Sequence, residues 1–164
     1  MSDADIRMRI SRVEGAQLLQ LVDDFRDLVT ARDAGDPAVA RLTPSPYPED
    51  DDASASFADA TRRDLLDRRI ADAFVVRAGL AELAADIPLL TQKEALTEHE
   101  LTISIEDVDA WIRTLAALRL VIASRLDILD VDLEVDVEDD PRYGVYEWLG
   151  YRLEVVVQAA DSLL

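Results

Sequence analysis

His99 is the one histidine of this 164-residue chain and sits in the polar stretch Thr97-Glu98-His99-Glu100, so any imidazole chemistry starts there. Zinc sites draw on several His or Cys donors. The chain has no second imidazole and no cysteine, so His99 reads as an exposed side chain. A Ser-His-Asp arrangement would have to recruit the same residue. Carboxylates are abundant, 35 Asp and Glu in all, but no spacing singles out two of them as an acid-base pair. A calcium loop counted from Asp130 puts Val135 at the turn-glycine position and Pro141 at the bidentate-Glu position, so it fails at both. The acidic run Glu49 to Asp52 also lacks a turn glycine and spaced ligands and reads as a solvated loop. The glycines are scattered singly, with no phosphate-cradling loop. No catalytic, metal or cofactor-binding residue is expected, and the chain is not expected to be an enzyme.

The arginines raise a different possibility, contact with a partner. Arg62, Arg63, Arg68 and Arg69 lie in one helical stretch with Asp59, Asp64, Asp67 and Asp72 interleaved. At three- and four-residue spacing these charges are expected to neutralise one another along the helix surface. Arg119 and Arg125 stand in the mostly apolar run WIRTLAALRLVIASRL, Trp111 to Leu126. They are the candidate partner-contact residues, and the competing reading is that one or both pair internally with Asp or Glu.

The elements that would position these groups are mostly helical. Ile6, Met8 and Ile10 alternate with Arg7 and Arg9, the period-two pattern of a short strand. Helical spacing follows from about Val13 to Ala31, with Leu18, Leu21, Val22, Phe25, Leu28 and Val29 on one face. Gly35-Asp36-Pro37 stops it, and Pro37 suits the first turn of a short helix to about Leu42. The acidic, proline-rich stretch 43–55 reads as a surface loop, and a second long helix is expected over 57–86. Its core stripe would be Leu65, Leu66, Ile70, Ala73, Phe74, Val76, Leu80 and Leu83, with Gly79 denting it without ending it. Residues 87–97 read as a connector. Leu101, Ile103 and Ile105 alternate again and could pair with the first strand.

A third long helix is expected over 105–126, with Ile105, Val108, Ile112, Leu115, Leu118, Ile122 and Leu126 on one face. Ser104 and Asp107 resemble a capping box at its start. The acidic segment 127–140, strictly alternating over Asp130 to Val137, reads as a solvated loop or edge strand. A last helix, about 143–163, offers Tyr146, Trp148, Leu149, Leu153, Val156 and Ala160 as inward positions, and Trp111 and Trp148 are expected to be largely buried. The fold class is mainly α: a single helical domain over 1–164, a bundle of about four long helices with a minor two-stranded β element.

Seventeen Lys and Arg against 35 Asp and Glu give a net charge of −18. Duplex binding relies on basic side chains displacing condensed counterions, so autonomous DNA binding should be weak. The same charge gives no reason to expect an anionic membrane as partner. The absence of cysteine removes disulfides, thiol nucleophiles and thiol sensing. The N-terminal stretch lacks the apolar run of about 7–15 residues of a signal peptide, and no segment approaches a membrane span. A cytoplasmic location is the expectation.

Four segments together resemble the actinobacterial family known as domain of unknown function 2017, oxidative-stress transcriptional regulators of the AosR type. They are LLQLVDDFRDLV, RLTPSPYPEDD leading to DLLDRR, WIRTLAALRLVIASRL preceded by Ile105-Glu106-Asp107, and YGVYEWLGYRLEVVVQA. The resemblance spans most of the chain. It implies a cytoplasmic regulator that responds to oxidative stress, acts on transcription with a sigma factor or RNA polymerase, and connects to cysteine biosynthesis genes. This chain departs from the thiol-sensing version, since it has no cysteine, and carries Ala116-Ala117 where a polar pair is expected. An acidic surface suits a regulator that attracts the basic regions of a protein partner. A homodimer formed through the helical surface is a further expectation, and the alternative is an adaptor or assembly module with no transcriptional role.

Overall fold

The computed structural model describes residues 5–43, 51–126 and 140–163, with side chains in the third helix from residue 59 onward. The calcium-loop count from Asp130 and the alternating acidic stretch lie outside the described residues, as does most of the loop expected over 43–55. Strand β1, Ile6–Ser11, leads directly into helix α1, Arg12–Ala31, and α2 is the short helix Pro37–Leu42. Helix α3 spans Asp51–Ala84, a 3₁₀ turn spans Ile87–Leu89, α4 is Gln92–Leu96 and β2 is Glu98–Ile103. Helices α5, Val108–Arg125, and α6, Pro141–Asp161, complete the chain. The class expected from the sequence, mainly helical with a small two-stranded sheet, is what forms.

The alternation at Ile6, Met8 and Ile10 does set a strand. β1 pairs antiparallel with β2, Ile6 opposite Ile103 and Ser11 opposite Glu98, and the three apolar side chains turn inward. On the outer face Arg7 meets Glu100 and Arg9 meets Glu98. The second strand runs earlier than expected: it takes in His99, which is exposed, and stops at Ile103, leaving Ile105 45% exposed in a turn. Helix α5 accordingly begins at Val108 rather than 105. The capping box expected from Ser104 and Asp107 does not form; Asp107 is the N-cap without a side-chain cap bond, and its N–H donates to the Ser104 carbonyl in the preceding turn.

Helix α5 is the centre of the bundle, packed against α2, α3 and α6. That is why its buried positions extend beyond the stripe of Val108, Trp111, Leu115 and Leu118 to Ala110, Thr114, Ala117 and Ala123. A helix enclosed by neighbours on several sides needs apolar residues around most of its circumference. Close approach between α3 and α5 depends on Gly79: a Cβ there would lie 2.9 Å from the Trp111 ring, which is 2% exposed. Gly15 serves α1 and α3 similarly, with Leu83 Cβ 3.2 Å from the position a side chain would take.

Several details correct the sequence reading. Helix α3 starts at Asp51, so residues 51–55 are helical and not loop. No proline follows Pro48 in this stretch, and negative charge at a helix N-terminus is favoured by the dipole. Phe74 is not in the core: it is 52% exposed and carries the Arg26 guanidinium over its ring, 3.8 Å from the centroid. At about 100° per residue it is turned off the stripe of Leu66, Ala73 and Leu80. The connector over 87–97 is ordered by the 3₁₀ turn and by α4, whose Thr91 and Glu94 form a reciprocal capping box. Among the described residues the ion pairs of the α3 acids reach other elements, although Asp72 also lies near enough to Arg69 on the same helix to act on it electrostatically. Asp67 pairs with Arg32 beyond the end of α1, Asp72 pairs with Arg113 of α5 at 2.9 Å, and Arg62 donates to the Arg32 carbonyl. These charges join helices together.

Candidate partner-binding face

Ser11 ends β1 and caps α1. Its hydroxyl accepts from the Glu14 N–H at 3.1 Å while the Glu14 carboxylate accepts from the Ser11 N–H at 3.3 Å, a closed capping box. The box fixes Glu14 at the edge of α1 that faces α6. On α6, started by Pro141 after the Asp140 N-cap, Trp148 and Arg152 are four residues apart and share a face. Both reach the same carboxylate oxygen, Glu14 Oε2: Trp148 Nε1 donates at 2.7 Å and Arg152 Nη2 at 2.6 Å. The second Arg152 nitrogen, Nη1, donates to the Arg9 carbonyl of β1 at 2.7 Å. One buried guanidinium thus ties β1, α1 and α6 together. Burial pushes the Glu14 carboxyl up, but the bonds from Arg152, Trp148 and Ser11 outweigh it and hold the group below the ordinary glutamate value. A carboxylate so occupied stays ionised at neutral pH and is not free to shuttle protons.

The Trp148 ring lines a groove of about 600 Å³ between α1 and α6, with Leu21 and Val145 beside it and Glu14 at one end. A smaller hollow of about 290 Å³ continues between α1 and α5, past Leu28, Val121 and Ile122 to Arg125. Leu21 belongs to both. The α1 stripe explains the groove. Leu18, Val22, Phe25 and Val29 turn fully inward, while Leu21 and Leu28 sit at the margin of the same face and stay half-buried.

Arg119 and Arg125, the two candidate contact residues, lie on α5 and go to different neighbours. Arg125 makes a two-pronged ion pair with Asp36, both bonds 2.7 Å. Asp36 is also the N-cap of α2 and accepts from the Ala38 N–H. The Arg125 bonds, with the smaller help of the α2 N–H groups, keep the Asp36 carboxyl below its ordinary value against the effect of burial. Arg119 lays its guanidinium over the Tyr146 ring, 4.1 Å from the centroid, in a notch left by Gly150. A Cβ at Gly150 would come within 3.0 Å of Arg119 Nε.

Sequence reasoning missed Glu14 and Arg152. The Glu14 signal was present as Ser11-x-x-Glu14 just before an apolar-periodic run. Arg152 carried no such signal, since its burial depends on where β1 and α1 place their acceptors. Trp111 is buried as expected, whereas Trp148 is half-buried and shows part of its ring to the groove. His99 lies over a polar cleft of about 680 Å³ with Glu82, Asp86 and Glu100. Among the described residues no three His, Asp or Glu side chains are grouped to hold a metal ion, and no helix is long and apolar enough to cross a membrane.

No curated protein and no solved structure matches the chain. A family model does, over residues 1–160, nearly the whole length. The chain belongs to the family described as domain of unknown function DUF2017.

Proposed function

We propose that this protein is a cytoplasmic, transcription-associated regulator that acts through a protein partner, a sigma factor or RNA polymerase, rather than by gripping DNA itself. The observation that carries the reading is where the positive charge goes. Arg12, Arg32, Arg62, Arg77, Arg113, Arg125 and Arg152 each bond to a carbonyl or carboxylate of the chain itself. With 17 basic and 35 acidic residues, and these arginines already paired, the chain carries a large excess of acidic groups. Such an excess repels phosphate backbones and attracts basic protein surfaces. The role in transcription and in oxidative stress is proposed on the resemblance to AosR-type regulators. With no cysteine in the chain, the stress signal would reach it through a partner, through its abundance or through another ligand.

Affinity capture on the tagged full chain, scored for sigma factors and RNA polymerase subunits, tests the reading. Recovery of a polymerase component, lost as salt rises, is the expected result. Recovery of a reproducible non-transcriptional assembly alone would replace the reading by that of an adaptor.

A further inference from the structure

We propose that the groove along α1, between α5 and α6, receives an amphipathic helix from a basic protein partner, with a lysine or arginine of that helix meeting Asp24. The proposal deepens the protein-partner reading above and rests on it. The two hollows joined at Leu21 run from Glu14 to Leu28, about 21 Å along α1 at 1.5 Å per residue, the length of about four helical turns. Their floor is apolar and half-buried: Leu21, Leu28, Val121, Ile122, Val145 and Trp148. Helix-in-groove recognition uses apolar anchors at i, i+3, i+4 and i+7, and a floor of this length offers places for them. The Trp148 N–H is already satisfied by Glu14, so covering the ring strands no donor.

Charge selects the occupant. Of the ionised groups lining the groove, Glu14 is neutralised by Arg152 and Arg125 by Asp36. Asp24 is exposed, and the bond it accepts comes from a neutral amide, Gln20 Nε2, at 2.9 Å. Among the described residues that carboxylate, beside Leu21, has no cationic partner, in a chain of net charge −18. A second copy would bring another Asp24 and another −18 against it. A helix with an apolar stripe and a basic flank matches both the floor and the charge.

The test uses the full chain and two synthetic 18-residue helical peptides with the same leucine stripe, one with lysine and one with glutamate elsewhere. Titration is followed by calorimetry and by tryptophan emission, whose change on binding is assigned to Trp148 because Trp111 is buried. The lysine peptide should bind one to one, and the glutamate peptide at least tenfold more weakly. Leu21→Asp should weaken the lysine peptide about tenfold or more, and Asp24→Lys, at an exposed site that leaves folding intact, about three- to tenfold. Leu89→Ser removes a side chain that is 82% exposed elsewhere on the surface and should change nothing. Equal binding of both peptides, or equal losses in Leu89→Ser and Asp24→Lys, would overturn the proposal. Two further results would assign the groove to another occupant and overturn it as well. One is a concentration-dependent dimer in sedimentation that Leu21→Asp dissociates; the other is competition by a peptide of residues 127–139. Polymerase capture that survives Asp24→Lys and Leu21→Asp would sink this surface and leave the broader reading standing.

Discussion

Replacing Glu14 by alanine removes the acceptor on which α1, α6 and β1 converge, and its cost can be worked from the contacts. Arg152 is 8% exposed and would keep the Arg9 carbonyl as its hydrogen-bond acceptor, beside the Trp148 and Tyr151 rings. Breaking a buried ion pair from one side costs about 3–5 kcal/mol. The Glu14 side chain is 28% exposed, so water can enter the vacated space and the charge term falls to about 2 kcal/mol. The Trp148 N–H loses its acceptor for about 1 kcal/mol more. The Glu14 N–H stays capped by the Ser11 hydroxyl; the Ser11 N–H loses its long 3.3 Å bond to the carboxylate, a loss that alanine's good helix propensity partly offsets. The total is about 3 kcal/mol, a fall in Tm of about 6–12 °C for a chain of this size. Urea and thermal unfolding of wild type, Glu14→Ala, Arg152→Ala and the double mutant would measure it. The cycle should return a coupling of about 1.5–2 kcal/mol, because each partner is costly mainly when left without the other. A Glu14→Ala protein within about 0.5 kcal/mol of wild type, with no coupling, would show that the guanidinium is hydrated and the knot is not a fastening.

Other expectations follow from the same contacts. Gly79→Ala should destabilise by about 1–2 kcal/mol in chemical unfolding despite alanine's better helix propensity, because Trp111 lies 2.9 Å from the new Cβ; a more stable variant would contradict the tight α3–α5 approach. Glu14 is held below its ordinary value, so its contribution is full above the unfolded glutamate value of about 4.3 and is lost as pH falls through the lower folded value. The stability gap between wild type and Glu14→Gln, about 1–2 kcal/mol at neutral pH, should therefore close below about pH 4 in urea midpoints taken from pH 7 to pH 3. Peroxide or diamide should leave partner affinity unchanged, read by calorimetry with the partner's own cysteines removed, since only Met1 and Met8 carry sulfur. A redox-dependent affinity that persists after both methionines are replaced would reveal a sensor of another kind.

Periodicity made the helices legible, because a buried stripe repeats with the turn of the helix whatever it packs against. α1 and α6 fall within two residues of their expected spans for that reason. The start of α5 is not legible in the spacing, because Ile105 continues the apolar pattern while the chain is still turning out of β2. Phe74 fits the apolar spacing of the α3 stripe, and only the direction of α1 across α3 shows that it emerges beside Arg26. The arginines were least legible of all. Spacing along α3 predicted local pairs for Asp67 and Asp72, whereas the structure joins them to Arg32 and Arg113, about 35 and 41 positions away in the chain. For Arg125, the expectation that an internal acid competes with a partner contact matches the Asp36 pair. Nothing in sequence could place Arg152 against Glu14, since that contact exists only once β1, α1 and α6 have assembled.

The most direct measurement of the central claim sets the purified protein against purified RNA polymerase, its sigma factors and a promoter-length DNA duplex in one salt series. Saturable, salt-weakened binding to a polymerase component or sigma factor is expected, with binding to the duplex too weak to saturate at physiological salt. Tight duplex binding by the protein alone, with no affinity for any polymerase component, would contradict it.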